Sequence, residues 1–317
     1  MSADVERNEI HLLERELELE MEAAQPRIPR LKWRRPFAFL VVVLLILFLW
    51  EGVKFLGGTP WRLPGQGPGT PIIWDPPFRW PFASDLNLPH VWNIAYAMGQ
   101  PFQRGADETL LQYLVGAAFY TWREAVFGFV LGSLLGLALA TAFVHSRLAE
   151  RAFVPYVIAS QTIPIIALAP LIVFALGQGV FAVVVIATYL TFFPVTIAML
   201  RGLRSFDPRA LELLRSYGAS RWEVYTKLRL PASLPYFFTA LKIAATAAIV
   251  GAIIGEDTGA IQEGLGRVIT TFNQYYATGP EKLWAAIFVA AALGVVFFLA
   301  VRVAEIITLR GRPGIDT

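Results

Sequence analysis

Residues 201–231 read RGLRSFDPRALELLRSYGASRWEVYTKLRLP, and the rest of the chain is organised around them. This is the long polar stretch of an otherwise apolar half, lying between apolar runs at 180–200 and 236–255. Two short helices with a break between them are written into it. Asp207 before Pro208 is an N-cap followed by proline at the first helical position, where a missing N–H costs nothing. Gly218 ends that helix, because glycine accepts the left-handed conformation that a C-terminal cap needs. Ser220 and Glu223 form a capping-box pattern that starts the second helix, and Pro231 is expected to stop it. Ser233 and Pro235 then cap the start of the next apolar run.

Seven Arg/Lys residues lie in this stretch, and a basic helix-turn-helix can bind DNA. A basic cytoplasmic loop is the simpler reading, because both ends run straight into segments of membrane-spanning length.

Composition supports the loop. With 56% hydrophobic and 16% charged residues and a mean hydropathy of +0.54, the chain is expected to be an integral membrane protein. It has no cysteine, which excludes disulfides, thiolate catalysis and cysteine metal sites. His11, His90 and His145 are far apart and read as solvated or structural rather than as a metal cluster. No Gly-x4-Gly-Lys-Ser/Thr occurs, so any ATP that drives this chain is bound by another polypeptide.

Residues 1–36 read as a cytoplasmic tail. Their acidic part carries Ile10, Leu13, Leu17 and Met21 at near-helical spacing, which fits a loosely helical, solvated segment and not a secretory signal. Arg27, Arg30, Lys32, Arg34 and Arg35 precede a first span at 37–56, whose bulky residues suit lipid contact. Residues 57–110 form an external segment. From 56 to 110 lie nine of the chain's 21 prolines and Trp61, Trp74, Trp80 and Trp92, so it should be irregular, with one short helix near 91–98. The tryptophans read as interfacial anchors.

Residues 111–310 read as a core domain with five further spans and the loop 201–234. The run at 110–144 exceeds one span and divides into an interfacial helix ending near Arg123-Glu124 and a span at 125–144. Gly128, Gly132, Gly136 and Ala140 recur at every fourth position, leaving one face of that span nearly flat. The third span, 153–176, is interrupted by Pro155, Pro164 and Pro170, with Ser160-Gln161-Thr162 at its middle. Thr188, Tyr189, Thr191, Pro194 and Thr196 mark the fourth span at 180–200. In the fifth, Ala240, Ala244, Ala247 or Ala248, Gly251 and Gly255 form a small-residue face that should put it at the bundle centre, with Lys242 snorkelling at its inner end. A sixth span at 283–307 leads to a cytoplasmic tail at 311–317. Arg/Lys cluster before the first span, after the second, between fourth and fifth, and at the end. Both termini and the 201–231 loop are therefore expected in the cytoplasm, as six spans require.

Glu212-Leu213-Leu214, Gly218, Leu228 and Leu230-Pro231 together resemble the cytoplasmic "EAA" signature of ABC importer permeases, with Leu213-Leu214 where that family has Ala-Ala. Leu88-Pro89-His90-Val91-Trp92, Thr121-Trp122-Arg123, Ile163-Pro164, Leu168-Ala169-Pro170, Gly255-Glu256 and Gly264-Leu265-Gly266 match in order, so that from about residue 88 to 310 the chain is similar to type I ABC importer transmembrane domains. The branch it resembles handles nitrate, sulfonate, taurine and bicarbonate, and includes permeases for pyrimidine precursors and riboflavin. The resemblance implies an all-α integral membrane fold of six transmembrane helices in a bacterial inner membrane, with a cytoplasmic coupling helix. It implies no covalent chemistry in this chain and no cofactor, ATP and Mg being bound by an ATPase subunit dimer. A second permease copy or paralogue and a periplasmic or lipid-anchored solute-binding protein complete the implied assembly. The contact with the ATPase would be made by Glu212, Tyr217, Gly218, Ala219, Ser220, Arg221 and Glu223.

The polar clusters at mid-span, Gln161, Thr162 and Pro164 with Thr188, Tyr189 and Thr191, are the candidate pathway. Glu256 reads either as part of an outer gate, through a partner such as Arg267, or as a plain interfacial carboxylate. The rival function is an ion-coupled secondary transporter. That class places Asp or Glu at mid-membrane and often shows paired repeats, neither of which this sequence does. An intramembrane enzyme is disfavoured by the lack of any Ser/His, Asp/Asp or His-Glu-x-x-His set. An anionic solute fits the branch, and an aromatic heterocycle fits the aromatic outer segment.

Overall fold

A computed structural model describes residues 34–65, 70–259 and 261–310. The expected helical character of the acidic tail and the basic cluster up to Lys32 lie outside these residues. Among the described residues, regular structure is helical, apart from three isolated β-bridges between residues 57 and 109. The chain forms two compact units, Met1–Val53 and Lys54–Thr317. Most of α1 (Arg34–Leu56) belongs to the first, and side chains such as Leu45 and Phe48 are exposed along it.

The second unit begins with a buried lysine. Lys54 Nζ donates to Asp85 Oδ1 at 2.6 Å, to the Leu88 carbonyl at 2.7 Å and to the Ala83 carbonyl at 3.4 Å. The indoles of Trp61 and Trp74 donate to the carbonyls of Lys54 and Phe55, at 3.1 and 2.9 Å, satisfying two acceptors that the end of α1 leaves open. These two tryptophans thus staple the proline-rich segment to the helix end, a role their count alone does not reveal. A helix α2 (Val91–Met98) follows at the expected place.

Helix α3 runs unbroken from Leu110 to His145, 36 residues started by a Thr109/Gln112 capping box. The expected division near Arg123-Glu124 is absent. No proline interrupts the run, and Glu124 has no exposed surface, so that charge marks a buried contact and not the water boundary. Ser146 alone turns the chain into α4 (Arg147–Ser160). Residues 161–164 then break the path, and α5 (Ile165–Leu176) leaves at 103° to α4. Of the three prolines only Pro164 is at the break. Pro155 and Pro170 lie inside their helices.

Gly177 and Gly179, with φ of 85° and 129°, make the turn into α6 (Val180–Gly202). Two short helices follow, α7 (Pro208–Ser216) and α8 (Arg221–Val224), then a π-helical turn at Tyr225–Arg229 and α9 (Leu230–Thr258). Pro231 therefore does not end the second of these short helices. The preceding turn is widened, so that the Leu230 N–H bonds to Tyr225 O five residues back, and the helical path continues from Arg221 to Thr258. Helices α10 (Leu265–Gln274) and α11 (Pro280–Leu309) complete the chain.

Helix α6 is gripped from two sides. A Cβ on Gly128 or Gly136 of α3 would stand within 2.8 Å of Ala187 or Val195. On the other side, Cβ atoms at Gly251 and Gly255 of α9 would approach the Cα atoms of Ala187 and Val183 to 2.7 and 2.9 Å. Such close backbone contact is how helices gain dispersion energy where lipid removes the hydrophobic drive. Helix α9 is buried along Ala240, Ala244, Ala248, Gly251 and Gly255, but it shares the centre with α6. Lys242 does not snorkel. It is mostly buried and pairs with Glu305 of α11 at 2.7 Å.

Among the described residues, four helical segments are long and apolar enough to cross a membrane: α3, α6, the path Arg221–Thr258, and α11. The bent pair α4–α5 makes five.

Candidate functional site

The cytoplasmic-type loop folds as its caps dictate. Asp207 accepts the Arg209 N–H at 2.9 Å, and α7 has no buried residue. Gly218 has φ 72°, and the Ala219 N–H closes the helix end on Leu214 O at 3.0 Å. Ser220 Oγ accepts from the Glu223 N–H at 3.2 Å while Glu223 Oε2 accepts from the Ser220 N–H at 2.9 Å. Lys227 Nζ adds an ion pair to Glu223 at 3.1 Å. The turn's backbone donors at Arg209, Ala219, Ser220 and Glu223 are thus satisfied locally.

What this frame displays is apolar. Tyr217 is 81% exposed and Trp222 65%, with Leu213 exposed beside them and Glu212, Gly218 and Arg221 also open to solvent. Ala219 is half-buried at the tip. Two large aromatics and a leucine on a two-helix projection that nothing covers among the described residues form a surface suited to another protein.

A contact column leads inward from it. Trp222 stacks on Tyr225 with ring centroids 5.3 Å apart, and the buried Tyr225 lies 5.2 Å from the His145 ring. Tyr225 Oη and Thr141 Oγ1 are 2.8 Å apart, joining the π-helical turn to the end of α3. Arg204 and Glu150, 2.6 Å apart, tie the loop to α4. Sequence reasoning missed this column, since Thr141 and Tyr225 are 84 residues apart.

The polar mid-span residues divide into two groups. Gln161, Thr162 and Pro164 lie at the break between α4 and α5 and are exposed. Tyr189, half-buried on α6, donates its hydroxyl to the Ser160 carbonyl beside that break. Thr188 is half-buried, with Oγ1 3.4 Å from Gly128 O. Thr191 has no exposed surface. Its hydroxyl lies 3.0 Å from Ala187 O and Thr188 O and 3.2 Å from Gly128 O, so it is a packing residue of the α3–α6 contact and not a pathway residue.

Glu256 is also fully buried. Its Oε2 accepts from the Gly266 N–H at 2.7 Å, and no ion pair joins it to Arg267 among the described residues. Across from it stands Glu124 of α3, also fully buried and close enough for the two carboxyls to interact. Glu124 was legible in one respect: it continues the four-residue register of Gly128, Gly132, Gly136 and Ala140.

Residues 128–310, more than half of the chain, match the family model of the binding-protein-dependent transport system inner membrane component. The chain belongs to this family. As a member it is a permease subunit of an ABC importer, a non-catalytic transport subunit. The chain is 35% identical over 240 residues to a formylaminopyrimidine transport permease protein, ThiX, of Halalkalibacterium halodurans, covering 72% of this chain and 93% of that protein. A putative aliphatic sulfonates transport permease protein, SsuC, of Escherichia coli is 27% identical over 254 residues, covering 80% and 92%. The riboflavin transport system permease protein RibX of Chloroflexus aurantiacus is 33% identical over 134 residues, covering 42% and 50%. In fold, the permease superposes on a chain of the inward-facing MetNI methionine ABC transporter with a TM-score of 0.52 at 20% identity, covering 63% of this chain and 96% of that one. As an importer permease it works with an ATPase and a solute-binding protein.

Proposed function

We propose that this permease forms one solute pathway with a second permease chain, and that the 161–164 break lines it. The carrying observation is the exposed non-helical backbone between two apolar helices bent by 103°. Irregular backbone at membrane depth is tolerated only against protein or a water-filled path. Gln161, Thr162 and Pro164 face that path, joined by Thr188 and Tyr189 of α6. Helix α1, 23 residues and about 35 Å long, supplies the sixth span. Both termini and the 201–234 loop lie in the cytoplasm, as their Arg/Lys flanks favour.

The projection at Glu212, Tyr217, Gly218, Ala219, Ser220, Arg221 and Glu223 enters a groove of the ATPase subunit, which binds ATP and Mg. Closure of the ATPase dimer moves this projection and, through Trp222, Tyr225 and Thr141, the inner end of α3. Glu256 belongs to the outer gate. A binding protein in the periplasm or on a lipid anchor delivers the solute. A small heteroaromatic solute of the pyrimidine-precursor type is favoured by the name of the 35% identical relative, whose length the match nearly spans.

Single cysteines test the pathway in the assembled transporter. A cysteine at Gln161 should react with water-soluble thiol reagents at a rate that changes with nucleotide, whereas one at Thr191 should stay protected. Reaction at Gln161 equal to that of a lipid-facing cysteine at Leu45 would overturn the pathway assignment.

A further inference from the structure

Glu124 and Glu256 have no exposed surface, and they meet where α3, α9 and the start of α10 come together. Two carboxylates side by side and out of water repel one another, and each is costly to desolvate unpaired. The nearby cations do not offset this. Arg123 is exposed with its guanidinium 4.8 Å from the Tyr120 ring centre, and no ion pair joins Arg123 or Arg267 to either carboxyl among the described residues.

The donors are also too few. The Gly266 N–H serves Glu256 Oε2, while Glu256 Oε1 and both oxygens of Glu124 have no donor among the described residues. Thr121 touches the Glu256 carboxyl and its oxygen accepts from the Leu265 N–H at 2.8 Å, but its one hydroxyl proton has Ala117 O at 3.1 Å as a second acceptor, and no donor serves Glu124 among the described residues. The two carboxyls therefore face each other with acceptors only, and a hydrogen bond between them needs a proton that one of them carries.

We propose that Glu124 and Glu256 bind one proton between them, and that this proton fastens the external turn 264–266 to the bundle. Glu124 carries the proton and donates it to Glu256. Glu256 keeps its negative charge, because it faces the Gly266 N–H at the N-terminus of α10, where the helix dipole favours an anion. The turn is shaped around this carboxylate. Gly264 has φ 95°, and a Cβ there would stand 2.3 Å from Glu256 Oε1 and 2.6 Å from Oε2.

Other titratable or charged groups near the pair are the neutral phenol of Tyr120 and Arg123 on α3 and Glu263 just before α10, while Asp257 on α9 accepts a 2.6 Å bond from Thr270. On the α6 side the neighbour is Val183, whose Cα a Cβ on Gly255 would approach to 2.9 Å. A cleft of about 480 Å³ lined by Tyr113, Tyr120, Gln262, Glu263 and Gly264 opens beside the turn, and release of 264–266 would open the pair toward it. Loss of the proton would leave two buried negative charges, which separate and release 264–266. The inference deepens the outer-gate reading of Glu256 by adding an external pH dependence.

The test uses the purified, assembled transporter and does not require transport. The wild-type protein should show an infrared band of a protonated carboxyl that is lost in Glu124→Gln. The amide of that variant donates to Glu256 permanently. A carboxyl kept protonated by the fold stabilises below its deprotonation range and stops doing so above it. The wild-type melting midpoint should therefore fall by about 5 °C from neutral to alkaline pH, and that of Glu124→Gln should fall by less than half as much. Glu256→Gln, whose amide oxygen still accepts from Gly266, repeats the comparison if Glu124→Gln does not insert. Absence of the band in the wild type overturns the proposal by itself. So does an equal pH response in wild type and variant, or a wild-type midpoint at alkaline pH restored by sodium or calcium, which would make the ligand a metal cation. Transport measured across external pH then addresses the gate separately, so failure of the gate and failure of the proton site are distinguishable.

Discussion

A Cβ on Gly132 would stand 1.7 Å from Thr191 Oγ1 and 2.9 Å from the Thr188 carbonyl. The α3–α6 contact is thus set by backbone meeting side chain with no room to spare. Gly132→Leu should force the helices apart, with overpacking costing about 1–3 kcal/mol. Detergent-solubilised protein should show a lower melting midpoint and reduced monodisperse yield. Gly294→Ala on α11, where a Cβ meets nothing within 4 Å, is the matched control and should melt like wild type.

Lys54 holds the outer segment through Asp85 and two carbonyls. Lys54→Met fills the space but removes the donors, leaving acceptors unserved at about 1–3 kcal/mol each. Residues 57–90 should become susceptible to protease added from outside, at unchanged membrane levels. Wild-type protease resistance in Lys54→Met would show that the tryptophan staples suffice alone.

The Lys242–Glu305 pair is mostly buried, with side-chain exposures of 18% and 14%, so removing one charge strands the other. Lys242→Glu and Glu305→Lys should each lower the melting midpoint, and the double exchange should recover part of the loss. A coupling on the order of 1 kcal/mol is expected from the cycle. Simple additivity of the two losses would mean that the pair contributes no more than its separate solvation.

Ala219→Glu places a longer side chain and a charge at the tip of the 207–224 projection. The charge would have to be desolvated on docking, while the fold of this chain has solvent to accept it. The variant should reach the membrane at wild-type levels but lose ATPase co-purification and transport. Retention of both would remove the projection as the ATPase contact.

Much of this architecture is legible in order along the chain, wherever the controlling interaction is local. Asp207-Pro208, Gly218 and the Ser220/Glu223 box specify a helix, a left-handed stop and a second start within seventeen residues, and each forms as its cap chemistry requires. The small-residue faces of α3 and α9 were legible by their four-residue period, which names the faces but not the α6 surface between them. Local reasoning failed where a local signal had a distant cause. Arg123-Glu124 looks like a water boundary, yet Glu124 is buried on the α3 face that packs against other helices, near Glu256, 132 positions later. Pro231 looks like a stop, yet the widened turn at Tyr225–Arg229 absorbs it.

The sequence by itself determined the class of molecule, the caps and turns of the 207–224 projection, and the flat helix faces. These depend on composition, hydropathy and side chains that reach only a few residues along the backbone. Only the tertiary structure decided that α6 lies clasped between α3 and α9, that Thr191 packs instead of lining a path, and that Lys54, Tyr225 and the Glu124–Glu256 pair have the partners they do. Those facts depend on which helices become neighbours, and a neighbour more than a hundred residues away leaves no mark on the local pattern that it overrides.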